Sequence, residues 1–162
     1  MPMGRDGKAY ARDIATDVGT FASKGIRMIL CLLNDYEIRS IGCDVKKYEA
    51  ACAKNGIKLF KYPIIEMAPP EDVNQFHNDV IEKVLQTMQQ GVDVLVHCRG
   101  GIGRAGLVAC CVSAYKLNKA GADRHFKSSK EVIAYVRAHR DRRCVESRKQ
   151  EDFVKKYFDF IV

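Results

Sequence analysis

No apolar run in this chain approaches the ~20 residues that a membrane-crossing helix requires. The opening MPMGRDGKAY also lacks the apolar stretch of a secretory signal, so neither a membrane span nor export is expected. Internal repeats and low-complexity linkers are missing, which excludes solenoid and fibrous architectures. The seven cysteines (Cys31, Cys43, Cys52, Cys98, Cys110, Cys111 and Cys144) are odd in number, contain no CxxC pair and lie mostly within apolar runs. Reduced thiols in a cytoplasmic or nuclear protein show that usage. His77, His125 and His139 stand apart from one another and no set of four ligands is visible, so neither a metal nor a cofactor is expected. Zinc-finger spacing is absent and aromatics do not interleave with basic residues, which argues against nucleic acid recognition.

What remains is a soluble composition, 47% hydrophobic and 29% charged, in 162 residues. That length suits a single domain over residues 1–162, with residues 1–10 expected outside its ordered core. The formal charge is +7, and the segment from Arg124 to Lys149 holds nine basic residues against three acidic ones. Such a segment favours anionic partners: phosphorylated proteins, acidic surfaces, phosphoinositides or nucleic acid. Periodicity predicts helices over Ala11–Ser23, Val45–Lys54, Glu71 to about Gly91, Leu107–Leu117, Ser129–His139 and from a Ser147 cap to the end. It predicts strands over Ile26–Leu33, Ile57–Tyr62 and Val92–Val96, the last as the central strand, with loops after Leu33, over Ile64–Pro70 and over Gly121–Ser129. Alternating strands and helices imply an α/β domain with a mainly parallel central sheet flanked by helices.

The chemistry concentrates in His97-Cys98-Arg99-Gly100-Gly101-Ile102-Gly103-Arg104, between a predicted strand and a predicted helix. Glycines let successive backbone N–H groups turn inward around a tetrahedral anion, and a helix N-terminus adds its positive dipole end. A thiol in that field deprotonates readily, since such settings lower a cysteine pKa from about 8.5 to as little as about 3.5. Cys98 is then a nucleophile. Arg104 brings a planar fork that can hold two phosphoryl oxygens. Gly101 to Gly106 also spells GxGxxG, the dinucleotide fingerprint, but no apolar strand follows within Lys119–Lys130 to carry Asp123 to a ribose. An ATP-binding phosphate loop fails as well, because no Gly-Lys-Ser/Thr closes the run.

His-Cys, five residues and Arg resembles the signature of the cysteine-dependent protein tyrosine phosphatases. Within that superfamily the chain is most similar to the compact dual-specificity branch and its kinase-associated phosphatases, which act on cyclin-dependent kinases. The resemblance extends from about Asp17 to the end and includes Pro63-Ile64-Ile65-Glu66, like the family's general-acid loop, and Val145-Glu146-Ser147 with Gln150. It implies a phosphomonoester hydrolase, with Cys98, Arg104 and Glu66 as the catalytic residues. Arg99, Gly100, Gly101, Ile102, Gly103 and Arg104 would bind the phosphate, and His97, Ala105 and Gln150 would support them. It also implies a phosphorylated protein as substrate, a protein kinase among the options. Glu66 stands where the family has aspartate, with Glu71, Asp72 and Asp35 in reserve. Ala105 replaces the serine or threonine whose hydroxyl helps the cysteinyl-phosphate break down. Arg99 would favour multiply phosphorylated or lipid headgroup substrates. A phosphate-binding pseudophosphatase, a phosphoinositide phosphatase and a sulfur-transfer or arsenate-reducing enzyme remain the alternatives.

Overall fold

The computed structural model describes residues 12–119 and 125–162. They fall into two compact units, one built from the chain up to Pro63 with Thr87–Gly100, the other from Ile64–Gln86 with Gly101–Val162. The expectations for residues 1–10, for a helix start at Ala11 and for the first part of the 121–129 loop lie outside the described residues.

The first unit is α/β. Helix α1 (Ile14–Ser23) starts where the Asp13 carboxylate accepts from the Thr16 amide at 2.8 Å, satisfying a backbone donor that has no helical partner. Strand β1 (Ile26–Cys31) follows. A short helix, α2 (Asp35–Ser40), occupies the segment expected to be a loop, and its cause is local. Asn34 and Glu37 form a reciprocal capping box, with the Glu37 amide donating to Asn34 at 2.8 Å and the Asn34 amide to Glu37 at 3.1 Å. Helix α3 (Val45–Lys54) has its predicted bounds, strand β2 (Lys58–Lys61) is one residue shorter at each end than expected, and β3 (Asp93–His97) is shifted by one residue.

All strands pair in parallel, in the order β2-β1-β3 among the described residues. This corrects the expectation that Val92–Val96 is central, because β1 holds that place. Beyond exposed Arg27 the strand is apolar, and Met28 to Leu33 are at most 1% exposed, a burial that needs neighbours on both sides. Strand β3 carries Asp93 and is only half-buried. The register places Cys31 opposite both Lys61 and His97, so the three strands end at one level, the sheet edge where α/β folds gather their chemistry.

The second unit is helical. The predicted long helix is present as α4 (Val73–Phe76), a π-helical turn over His77–Ile81 and α5 (Glu82–Gln89), whose last turn belongs to the first unit. Asp72 caps α4, accepting from Gln75 N at 2.7 Å. Helix α6 spans Gly103–Lys119, α7 Ser129–His139 and α8 Arg148–Ile161. The apolar faces close on one another: Leu107, Val108, Cys110, Cys111 and Ala114 of α6 are 0–1% exposed, and Phe76 meets Phe153 edge-on at 5.6 Å between ring centres. The larger of these, Leu107, Val108, Phe76 and Phe153, each contribute about 1.5–3 kcal/mol on leaving water.

Candidate active site

In the first unit, Cys98 follows β3 and is 4% exposed. Its neighbour His97 is held at both ring nitrogens. Nδ1 lies 3.3 Å from the Cys98 carbonyl and Nε2 lies 2.8 Å from the Tyr48 hydroxyl. A carbonyl can only accept, so Nδ1 carries the proton and Nε2 accepts from Tyr48. Burial pushes the Tyr48 phenol well above its usual range, with further upward contributions from Cys31, Cys52 and Cys43, and this keeps it a neutral donor. His97 therefore orients the peptide of Cys98. Arg99 is exposed and Gly100 half-buried.

In the second unit, Gly101 has φ +67 and the Nη2 atom of Arg140 lies 3.2 Å from where its Cβ would be. Glycine is favoured there by its backbone conformation. Helix α6 begins at Gly103, four residues earlier than its apolar pattern indicates, so Arg104 belongs to the first helical turn. Arg104 is 3% exposed and donates through Nη1 to the Ile64 carbonyl at 2.7 Å. The carbonyl of Ile102 accepts from Gly106 N at 3.0 Å and from Val145 N at 3.4 Å. Val145 is buried with φ +62, a conformation costly for a β-branched residue. Its carbonyl receives Arg137 Nη2 at 3.1 Å, while Arg137 Nε serves Cys144 O at 2.9 Å. The Glu146 carboxylate lies over Gly103, and a Cβ there would have to displace it.

The Ile64–Pro70 segment is irregular, as its two adjacent prolines require. Ala68 N bonds Ile65 O at 3.0 Å and Met67 has φ +62, the signs of a type II turn with exposed Glu66 at its second position. Ser147 Oγ donates to Met67 O at 2.7 Å. Gln150 is fully buried, with Oε1 accepting from Glu146 N at 2.9 Å and Nε2 reaching Ala68 O at 3.5 Å. Two reserve carboxylates have other work: Asp72 caps α4, and Asp35 pairs with Lys61 at 3.2 Å. Glu71 is exposed. Among the described residues no group of three or more His, Cys, Asp or Glu is arranged to hold a metal, and no helix is long and apolar enough to cross a membrane.

Residues 11–154 match the family model described as Swiss Army Knife protein, DSP-PTPase phosphatase domain. The chain belongs to this phosphatase family. No curated protein matches it. Among solved structures, kinase associated phosphatase with its catalytic cysteine substituted by serine aligns at TM-score 0.80 and 21% identity, over 99% of this chain and 83% of that one. Tk-PTP in the active form aligns at TM-score 0.69 and 23% identity, over 90% and 86%. PTPMT1 in complex with PI(5)P aligns at TM-score 0.69 and 18% identity, over 90% and 85%. At these identities the likeness establishes the phosphatase fold.

Within this phosphatase domain, sequence reasoning missed Tyr48, Arg137 and the contact of Ser147 with the Glu66 loop. Tyr48 left one signal, a phenol on the otherwise apolar face of α3. Arg137 and Ser147 left none beyond helical position, because their partners Val145 O and Met67 O are backbone atoms.

Proposed function

We propose that this domain is a tyrosine or dual-specificity protein phosphatase acting through a cysteinyl-phosphate. The Cys98 sulfur attacks phosphorus in line. The amides from Arg99 to Arg104 and the Arg104 guanidinium hold the equatorial oxygens, and Glu66 in its acid form protonates the leaving oxygen as the P–O bond breaks. Water then attacks the phosphocysteine and gives its proton to Glu66, and the Cys98 thiolate departs. Support comes above all from Arg104: the signature arginine is buried in the first turn of α6 with one amino group fixed on Ile64 O, two residues from the carboxylate that the mechanism needs.

A phosphorylated protein suits the excess of basic residues in the segment from Arg124 to Lys149, and an intracellular setting, cytoplasmic or nuclear, suits seven buried cysteines in the thiol form. Exposed Arg99 and the likeness to PTPMT1, solved with PI(5)P, favour phosphoinositides as the second reading.

The test is Cys98→Ser. It should abolish turnover of an aryl phosphate and the trapping of labelled phosphoenzyme on acid quench, while vanadate still binds. Undiminished turnover would sink the mechanism. Wild-type protein that binds vanadate but never turns over would identify a pseudophosphatase, and a panel of phosphopeptides against phosphoinositides decides the substrate class.

A further inference from the structure

Three backbone carbonyls of the Glu66 loop are held from the same unit: Ile64 O by Arg104, Met67 O by Ser147 and Ala68 O by Gln150. Glu66 lies between the first and second of these attachments. The turn is strained, since Met67 adopts φ +62, where glycine or asparagine is the usual occupant. Something must hold it. The shortest bond on its far side is the 2.7 Å donation from Ser147, a residue whose oxygen already accepts from Gln150 N at 3.1 Å as the cap of α8. A hydroxyl can do both, because it has one proton to give and lone pairs to receive. The N-cap of α8 therefore fastens the turn that carries the carboxyl group.

We infer that Ser147 is a positioning residue for general acid catalysis: its hydroxyl fixes the Met67 carbonyl and thereby sets where the Glu66 carboxyl meets the leaving oxygen. This rests on the reading of Glu66 as the acid. Ser147 itself touches no substrate. Its effect is confined to the proton transfer, so it appears where protonation limits the rate and disappears where the leaving group departs unaided.

Capping and fastening can be separated by substitution. Ser147→Asp keeps a strong cap acceptor but has no proton for Met67 O at neutral pH, whereas Ser147→Thr keeps both functions. The measurement is kcat and KM for aryl phosphates of graded leaving-group pKa, with Glu66→Gln and the Glu66→Gln/Ser147→Asp double variant in parallel. Misplacing the acid in Ser147→Asp should lower kcat about 10- to 100-fold for phenyl phosphate. Nitrated esters and KM should be nearly unchanged, Ser147→Thr should restore the wild-type pattern, and melting should show α8 intact. The double variant should lose no more than Glu66→Gln alone. If Glu66→Gln steepens the leaving-group dependence and Ser147→Asp does not, or if Ser147→Asp slows every ester equally, the inference is wrong while the acid stands. If Glu66→Gln itself is insensitive to the leaving group, the reading of Glu66 falls and the inference with it.

Discussion

The guanidinium of Arg104 donates to the Ile64 carbonyl at 2.7 Å, joining the first turn of α6 to the start of the loop that carries Glu66. The signature cation thus has a structural partner as well as its proposed anionic one. Arg104→Lys keeps the charge but replaces a fork with a point, which cannot serve a carbonyl and two phosphoryl oxygens at once. A loss of roughly a thousandfold in kcat/KM is expected, with weaker vanadate binding by calorimetry. A lysine variant with near-normal kcat/KM would show that charge alone suffices.

Ala105 is 7% exposed and offers no hydroxyl at the position after Arg104. Hydrolysis of the phosphoenzyme should therefore limit turnover, and stopped-flow assays should show a burst followed by a slow steady state. Ala105→Ser should raise the steady-state rate about tenfold while leaving the burst rate alone, since only the second displacement gains a donor. A wild-type trace without burst amplitude contradicts this.

Burial pushes the Cys110 thiol up to about 12 and the Cys52 thiol up to about 11, with smaller upward contributions from Cys144 and Cys43 respectively. Burial likewise raises Cys111, Cys43 and Cys144. Near pH 6.5 these five are neutral and slow to alkylate. A brief exposure to iodoacetamide should therefore modify Cys98 in preference to any of them, read by peptide mass spectrometry. Faster labelling of Cys52 or Cys110 would remove the case for Cys98 as nucleophile.

His77 is 7% exposed, with Nδ1 2.8 Å from the Tyr157 hydroxyl and Nε2 3.8 Å from Glu82. Burial holds its pKa below the usual histidine value, partly opposed by Glu82. The unfolded chain then binds the proton first, so the stability due to His77 is complete above about pH 6.5 and is lost as pH falls through the folded-state value. Urea midpoints measured from pH 7.5 to 5 should decline, and His77→Gln should flatten that slope whatever it does to the absolute midpoint. The carboxylates with lowered pKa, Asp13 and Asp17 among them, titrate in a lower window and leave this one clear.

A Cβ added at Gly106 would lie 3.0 Å from Cys144 Cβ and 3.1 Å from the Val145 amide nitrogen. Helix propensity alone would favour alanine by about 1 kcal/mol, but backbone cannot step aside and overpacking costs about 1–3 kcal/mol. Gly106→Ala should therefore lower the melting temperature by several degrees. A rise would mean that the 144–145 backbone yields.

The sequence expectations succeeded where the cause is local. Helix α3 ends at Lys54 because Asn55-Gly56 cannot continue it, and α8 starts after Ser147 because Ser147 and Gln150 cap it reciprocally. The α2 cap was equally local: Asn34 and Glu37 have the spacing of a capping box, and a six-residue helix is simply too short to show a period. The first turn of α6 was hidden for the opposite reason. Gly103 and Gly106 argue against a helix on propensity, and at Gly106 the close approach of the 144–145 backbone reverses that preference.

The order of residues by itself determined the chemical inventory: a thiol and a guanidinium six positions apart, glycines between them and a carboxylate behind a proline. Only tertiary structure decided that β1 rather than β3 lies in the middle of the sheet, that His97 is steadied by a tyrosine 49 residues away, and that Met67 O finds Ser147 across 80. Covalent spacing sets which groups a short segment can bring together. Pairings across dozens of residues form only when apolar faces close and strip water from the polar groups, which must then bond to whatever the fold has placed beside them.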